Sequence, residues 1–117
     1  MNTVFISLPM NGYSMENIEQ RKQQIIEKLG PEFVDIAAVS QMYPGYTNSS
    51  TNTALNWLGN SIMQMSNANY VYFAPGWENA RGCRIEHECA VQYDMPILTE
   101  EDFVDATSDG ENAGLTQ

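Results

Sequence analysis

The chain has 117 residues, 43% hydrophobic and 10% aromatic, enough for one core and too few for two. Its net charge of −10 sets fifteen acids against five bases, which argues against a nucleic-acid partner, since phosphate neutralisation needs clustered Lys and Arg. No apolar run approaches the ~20 residues that span a bilayer, and no basic segment precedes an apolar stretch at the start, so a soluble, cytoplasmic protein without a membrane partner is expected.

Thr3-Val4-Phe5-Ile6-Ser7 reads as a first strand, closed by Leu8-Pro9 and followed by an Asn11-Gly12 turn. Ser14 suits the N-cap of a helix from Met15, with Glu16 and Glu19 at its positive end. Met15, Ile18, Ile25, Ile26 and Leu29 recur at helical spacing until Gly30-Pro31 stops the run. A second strand is predicted over Phe33 to Val39. Residues 40–53 form a long loop rich in Ser, Thr, Asn, Gly and Tyr, and loops of that length are often binding elements.

Ala54, Leu55, Leu58, Ile62 and Met65 give the next helix an apolar face, flanked by Trp57 and Met63. The third strand is Tyr70 to Ala74, ending at Pro75-Gly76. A third helix runs from about Ala80 to Tyr93, and Pro96-Ile97-Leu98 is a short fourth strand. Strand–helix alternation of this kind predicts an α/β fold: a small flavodoxin-like or Rossmann-like three-layer domain with a parallel sheet of four to five strands. The domain is expected over residues 1–103. Six acids and no base lie in the last 18 residues, so 104–117 reads as an acidic, solvated tail. Cys83 and Cys89 are six apart on one predicted helix, about 9 Å along its axis and too far to bridge.

The stretch Gly76 to Pro96 carries the most chemistry. In an open parallel sheet, ligands bind where strand carboxyl ends, loops and helix N-termini converge. The third helix begins there, so Arg81, Gly82 and Cys83 offer backbone N–H groups, and Gly82 lets a ligand approach. Glu86 lies four residues after Gly82, about 40° around the helix, whereas Glu88 points about 200° from Glu86. Glu86 is thus either a nucleophile or general base, or an ordinary exposed helix glutamate. Trp77 is either a lid over the core or a stacking surface. Cys83 and His87 form an i, i+4 pair without an evident third ligand, so no metal is expected.

Several of these segments resemble the nucleoside 2-deoxyribosyltransferase-like family, in particular a short bacterial and phage branch, over most of residues 3–99. Val4-Phe5-Ile6-Ser7-Leu8-Pro9-Met10-Asn11-Gly12 is similar to the family's opening strand and small-residue/Pro turn. Ser66-Asn67-Ala68 before the third strand fits as well. The strongest element is Gly82-Cys83-Arg84-Ile85-Glu86, with Pro96 ten residues on. The resemblance implies that Glu86 attacks the anomeric carbon of a nucleoside. Two positions depart from the catalytic members: Phe5 stands where they carry a tyrosine, and Ser61 where they carry an aspartate that handles the proton on the leaving base. Leu58-Gly59-Asn60-Ser61 matches the Leu-Gly-x-Ser of the short branch. The family's C-terminal asparagine, donated by a neighbouring subunit, has no assigned counterpart.

The expected function is cleavage or transfer of the N-glycosidic bond of a (deoxy)nucleoside or nucleotide through the Glu86 nucleophile. Ser7, Pro9, Asn11, Gly12, Ser61, Trp77, Arg81 and Gly82 would form the substrate site, and Tyr43 is a second stacking candidate. No cofactor is expected. The alternative is a non-catalytic protein that senses or sequesters a nucleotide or an ADP-ribose-like ligand. The resemblance also implies a homo-oligomer, a dimer or tetramer.

Overall fold

A computed structural model of the protein describes residues 1–39 and 51–102. The elements are β1 (Asn2–Ser7), α1 (Met15–Leu29), β2 (Phe33–Asp35), α2 (Ile36–Val39), α3 (Thr53–Met65), β3 (Tyr70–Phe73), a 3-10 turn (Trp77–Asn79), α4 (Arg81–Gln92) and β4 (Ile97–Thr99). The four strands pair in parallel, in the order β2-β1-β3-β4. This is the three-layer α/β arrangement that the alternation of strands and helices predicts. Residues 40–50 of the expected loop, with Tyr43, and the acidic tail 104–117 lie outside the described residues.

The layers follow from the pleat. Val4 and Ile6 of β1, continued by Leu8, pack with Tyr72 and Ala74 against Ile18 and Leu29 of α1. Phe5, Val71 and Phe73 point the other way, against Ile36, Met65 of α3 and Ala90 of α4. The central strands are therefore apolar on both sides, as a parallel sheet between two helical layers requires.

Local signals set the helix ends. Ser14 is extended at φ −74°, ψ 164°, and its hydroxyl accepts from the Asn17 N–H at 3.1 Å. Such a cap contributes ~1 kcal/mol. Gly30, at φ 108°, closes α1 by donating its N–H to Ile26 O at 3.1 Å. Asn52 caps α3 in the same way as Ser14, its side chain accepting from Leu55 N at 3.0 Å. Cys83 and Cys89 are both free thiols.

Three expectations are corrected. The second strand ends at Asp35, and Ile36–Val39 is helix. The Asp35 carboxylate accepts from Ala37 N at 2.9 Å, an Asx turn that bends the chain out of the sheet just before two good helix formers. On α3, Ala54 and Leu55 are exposed rather than core, and Ile62 and Met65 are the residues that pack with Phe5, Val71 and Phe73 of the sheet. Met15, expected on the buried face of α1, is also exposed.

Candidate active site

The chain leaves β1 through α1 to β2 on one side and later returns through α3 to β3 on the other. The β1–β3 junction is therefore the switch point of the sheet, and a crevice at its carboxyl end is where such folds bind ligands. Ala74 N donates to Ser7 O at 2.9 Å, tying the two strand ends together. The loops that follow also meet: a Cβ on Gly76 would lie 3.7 Å from Pro9 Cγ. That spacing is ordinary contact, so the glycine is required by its φ of 92°, not by space.

Ser7 ends β1 on the face shared with Phe5, where the pattern otherwise supplies apolar side chains, and it is only 1% exposed. Across from it, α4 turns Cys83, Glu86 and Ala90 toward the sheet, a stripe at i, i+3, i+7. Glu86 is 7% exposed, so it is not a solvated helix glutamate. The Ser7 hydroxyl donates to Glu86 Oε1 at 2.7 Å. Burial pushes the Glu86 carboxyl above the usual glutamate range, while the Ser7 hydroxyl and, more weakly, the Ser61 hydroxyl of α3 act in the opposite direction. The Cys83 thiol is also raised, first by burial and then by the Glu86 charge, against the opposing Ser7 hydroxyl. Three elements thus converge on one acidic group: β1 with Ser7, α3 with Ser61 and α4 with Glu86 and Cys83.

The remaining expected residues lie around this cluster. Trp77 packs on Phe73 with centroids 5.4 Å apart and stacks on His87 at 4.0 Å and 15°. One indole face is therefore already covered, as a lid over the core would be. His87 also meets the Phe73 ring edge at 4.8 Å. Among the described residues, no three His, Cys, Asp or Glu side chains gather as a metal site. Arg81 is exposed on the first turn of α4, and Gly82 beside it faces open space. The Ala80 N-cap makes no side-chain hydrogen bond to that turn.

Asn11 and Gly12 are exposed in a turn closed by Tyr13 N donating to Met10 O at 3.2 Å, with Gly12 at φ 86°. Arg21 fixes this loop by donating to Pro9 O at 3.3 Å and lying 4.6 Å over the Tyr13 ring. Of the expected residues, then, the structure gathers Ser7, Ser61 and Glu86. Asn11, Gly12 and Arg81 remain exposed. Sequence reasoning did not single out Cys83 as a neighbour of Glu86, although their i, i+3 spacing carried that signal, nor Arg21 as the anchor of the first loop.

Fold and site together define a doubly wound α/β domain with a buried carboxylate at its switch point. The chain belongs to the family described as a domain of unknown function (DUF4406), which it matches over residues 2–99. That match ends with β4 and names no activity or relation to the deoxyribosyltransferase-like proteins. No curated protein and no solved structure matches the chain. Among the described residues, no helix is long and apolar enough to cross a membrane.

Proposed function

We infer that the protein cleaves or transfers the N-glycosidic bond of a nucleoside or nucleotide, with Glu86 as nucleophile. The observation that supports this most is the carboxylate itself, buried at the switch point and held by the Ser7 hydroxyl at 2.7 Å. A buried carboxylate without a cationic partner opposes folding, and such groups cluster at functional sites. Glu86 would attack C1′ as the base departs, and water or a second base would resolve the glycosyl ester. The transition state is oxocarbenium-like, so a negative charge beneath C1′ stabilises it. The Ser7 donor holds one carboxylate oxygen, Oε1, in place. The ligand would be a small-molecule nucleoside or nucleotide, and the working form a homo-oligomer.

Incubation with deoxynucleosides, their monophosphates and NAD-like compounds, followed by chromatography of the free base, tests the reading. Base release that depends on Glu86 supports it. The second reading, a nucleotide-sensing or sequestering protein, is favoured by Ser61, which puts a hydroxyl beside Glu86 where a carboxylate would serve turnover. Thermal stabilisation by a ligand without release of any base would select it.

A further inference from the structure

The groups around Glu86 specify the charge of what it meets. Among the described residues its partners are hydroxyls, Ser7 and Ser61, and four of the five bases are committed elsewhere. Lys22 lies 4.0 Å from Asp35 and Lys28 3.4 Å from Glu100. Arg21 holds Pro9 O, and Arg84 holds Glu78 O at 3.2 Å. Arg81 precedes Glu86 by five residues, which places it about 140° away around α4. The carboxylate is therefore buried without a cation, in a chain whose net charge is −10.

The same shell bears on how a base could leave. A neutral nucleobase departs as an anion unless an acid protonates it, and such an acid contributes ~10²–10⁴-fold. Ser61 and Ser7 are not acids at neutral pH, and the Cys83 thiol is weakened as one by burial. His87, the only histidine, is stacked on Trp77. Residues 40–50 contain no Asp, Glu, His, Cys or Lys, and their titratable side chains, Tyr43 and Tyr46, are phenols with an ordinary pKa of about 10, so no strong acid is found among these and the described neighbours of Glu86.

We propose that the substrate is an N-glycoside whose leaving base is a cation, of the pyridinium type, which supplies the positive charge that the buried carboxylate lacks and departs without a proton. This rests on the glycosidic reading above. Glu86 forms the C1′–O bond as the C1′–N bond breaks. The bonding pair stays with the ring nitrogen, and the pyridinium becomes a neutral pyridine. Water then bonds to C1′, the ester C1′–O bond breaks to regenerate the carboxylate, and the proton from water passes to solvent. No oxidant or reductant is needed.

The test compares nicotinamide mononucleotide, its reduced dihydropyridine form, and adenosine and deoxyadenosine monophosphates. The first carries a pyridinium; the others have neutral leaving groups on phosphorylated sugars. Release of nicotinamide from the oxidised form at least ~10²-fold faster than base release from the others is expected. Equal rates would overturn the inference and leave the glycosidic reading standing; release from none of the four, with base released from any other deoxynucleoside or monophosphate, would overturn the inference alone, and release from no compound at all removes both. Ser61→Asp adds a carboxyl beside Glu86, where like charges keep one of the pair protonated. Folded Ser61→Asp protein should gain on the neutral substrates and narrow the preference by ~10-fold or more. A folded variant with unchanged preference would count against a missing acid as its cause.

Discussion

The two ends of the β1–β3 strand pair are built on opposite principles. At the amino end, Thr3 and Asn69 form a reciprocal clasp: Thr3 N and Oγ1 donate to Asn69 Oδ1 at 2.9 and 3.1 Å, and Asn69 N reaches Thr3 Oγ1 at 3.1 Å. Both residues carry neutral side chains that satisfy one another. At the carboxyl end, Ser7 faces an ionisable group that burial penalises. One end of the same ladder is held by neutral groups, while at the other burial disfavours the ionised form of Glu86. Such groups are enriched at functional sites, and mutation tests whether this is one.

The largest effect should come from Glu86→Ala. Base release should fall by several orders of magnitude with the circular dichroism spectrum unchanged. A folded variant that keeps its activity would remove the nucleophile assignment and, with it, the contrast between the two ends. Asn69→Ala tests the opposite end. Stability should drop by ~1–2 kcal/mol in urea, equally at pH 5 and pH 8, with base release per folded molecule unaltered.

A third experiment sharpens the contrast through pH. The Glu86 carboxyl is raised in the folded chain above its ordinary value of 4.5, so below that pH it is protonated in both states and has no effect on stability. As pH rises through the folded value, ionisation draws the chain toward the unfolded state, and above that value the penalty is constant. Glu86→Gln should therefore melt higher than the parent at pH 7, with the gap closing as pH falls toward 4.5. A parent that is the more stable at pH 7 would mean that the Ser7 and Ser61 hydroxyls outweigh burial. The smallest effect lies away from both ends: Asp94 follows α4 at φ 58°, and Asp94→Gly should add about 0.5–1 kcal/mol without changing function.

Much of this architecture was legible in the sequence because local chemistry decides it. Ser14 and Gly30 mark the ends of α1 by hydrogen bonds that their own residue types dictate. The apolar runs of β1 and β3, followed by helical periods, are enough to require a parallel sheet. What escaped depended on partners distant in sequence or on competing local bonds. Asp35 turned a strand into a helix through a single carboxylate–amide contact. Leu55 and Met15 sit at helical spacing, but periodicity names a stripe without saying how far along the helix its neighbours extend. Glu86 was legible as a candidate from its place after Gly82. Its bond to Ser7, 79 positions away in the chain, was not, since only the packed sheet brings the two together.

The stack of Trp77 on His87 gives the protein a built-in optical reporter one residue from Glu86. Of the two tryptophans, Trp57 is half exposed, whereas Trp77 is partly buried and rests on an imidazole and a phenyl ring. Emission from the two should differ in wavelength, and that from Trp77 should respond when anything disturbs its stack on His87. Titration with unlabelled compounds can therefore be followed by intrinsic fluorescence, with Trp57→Phe isolating the signal.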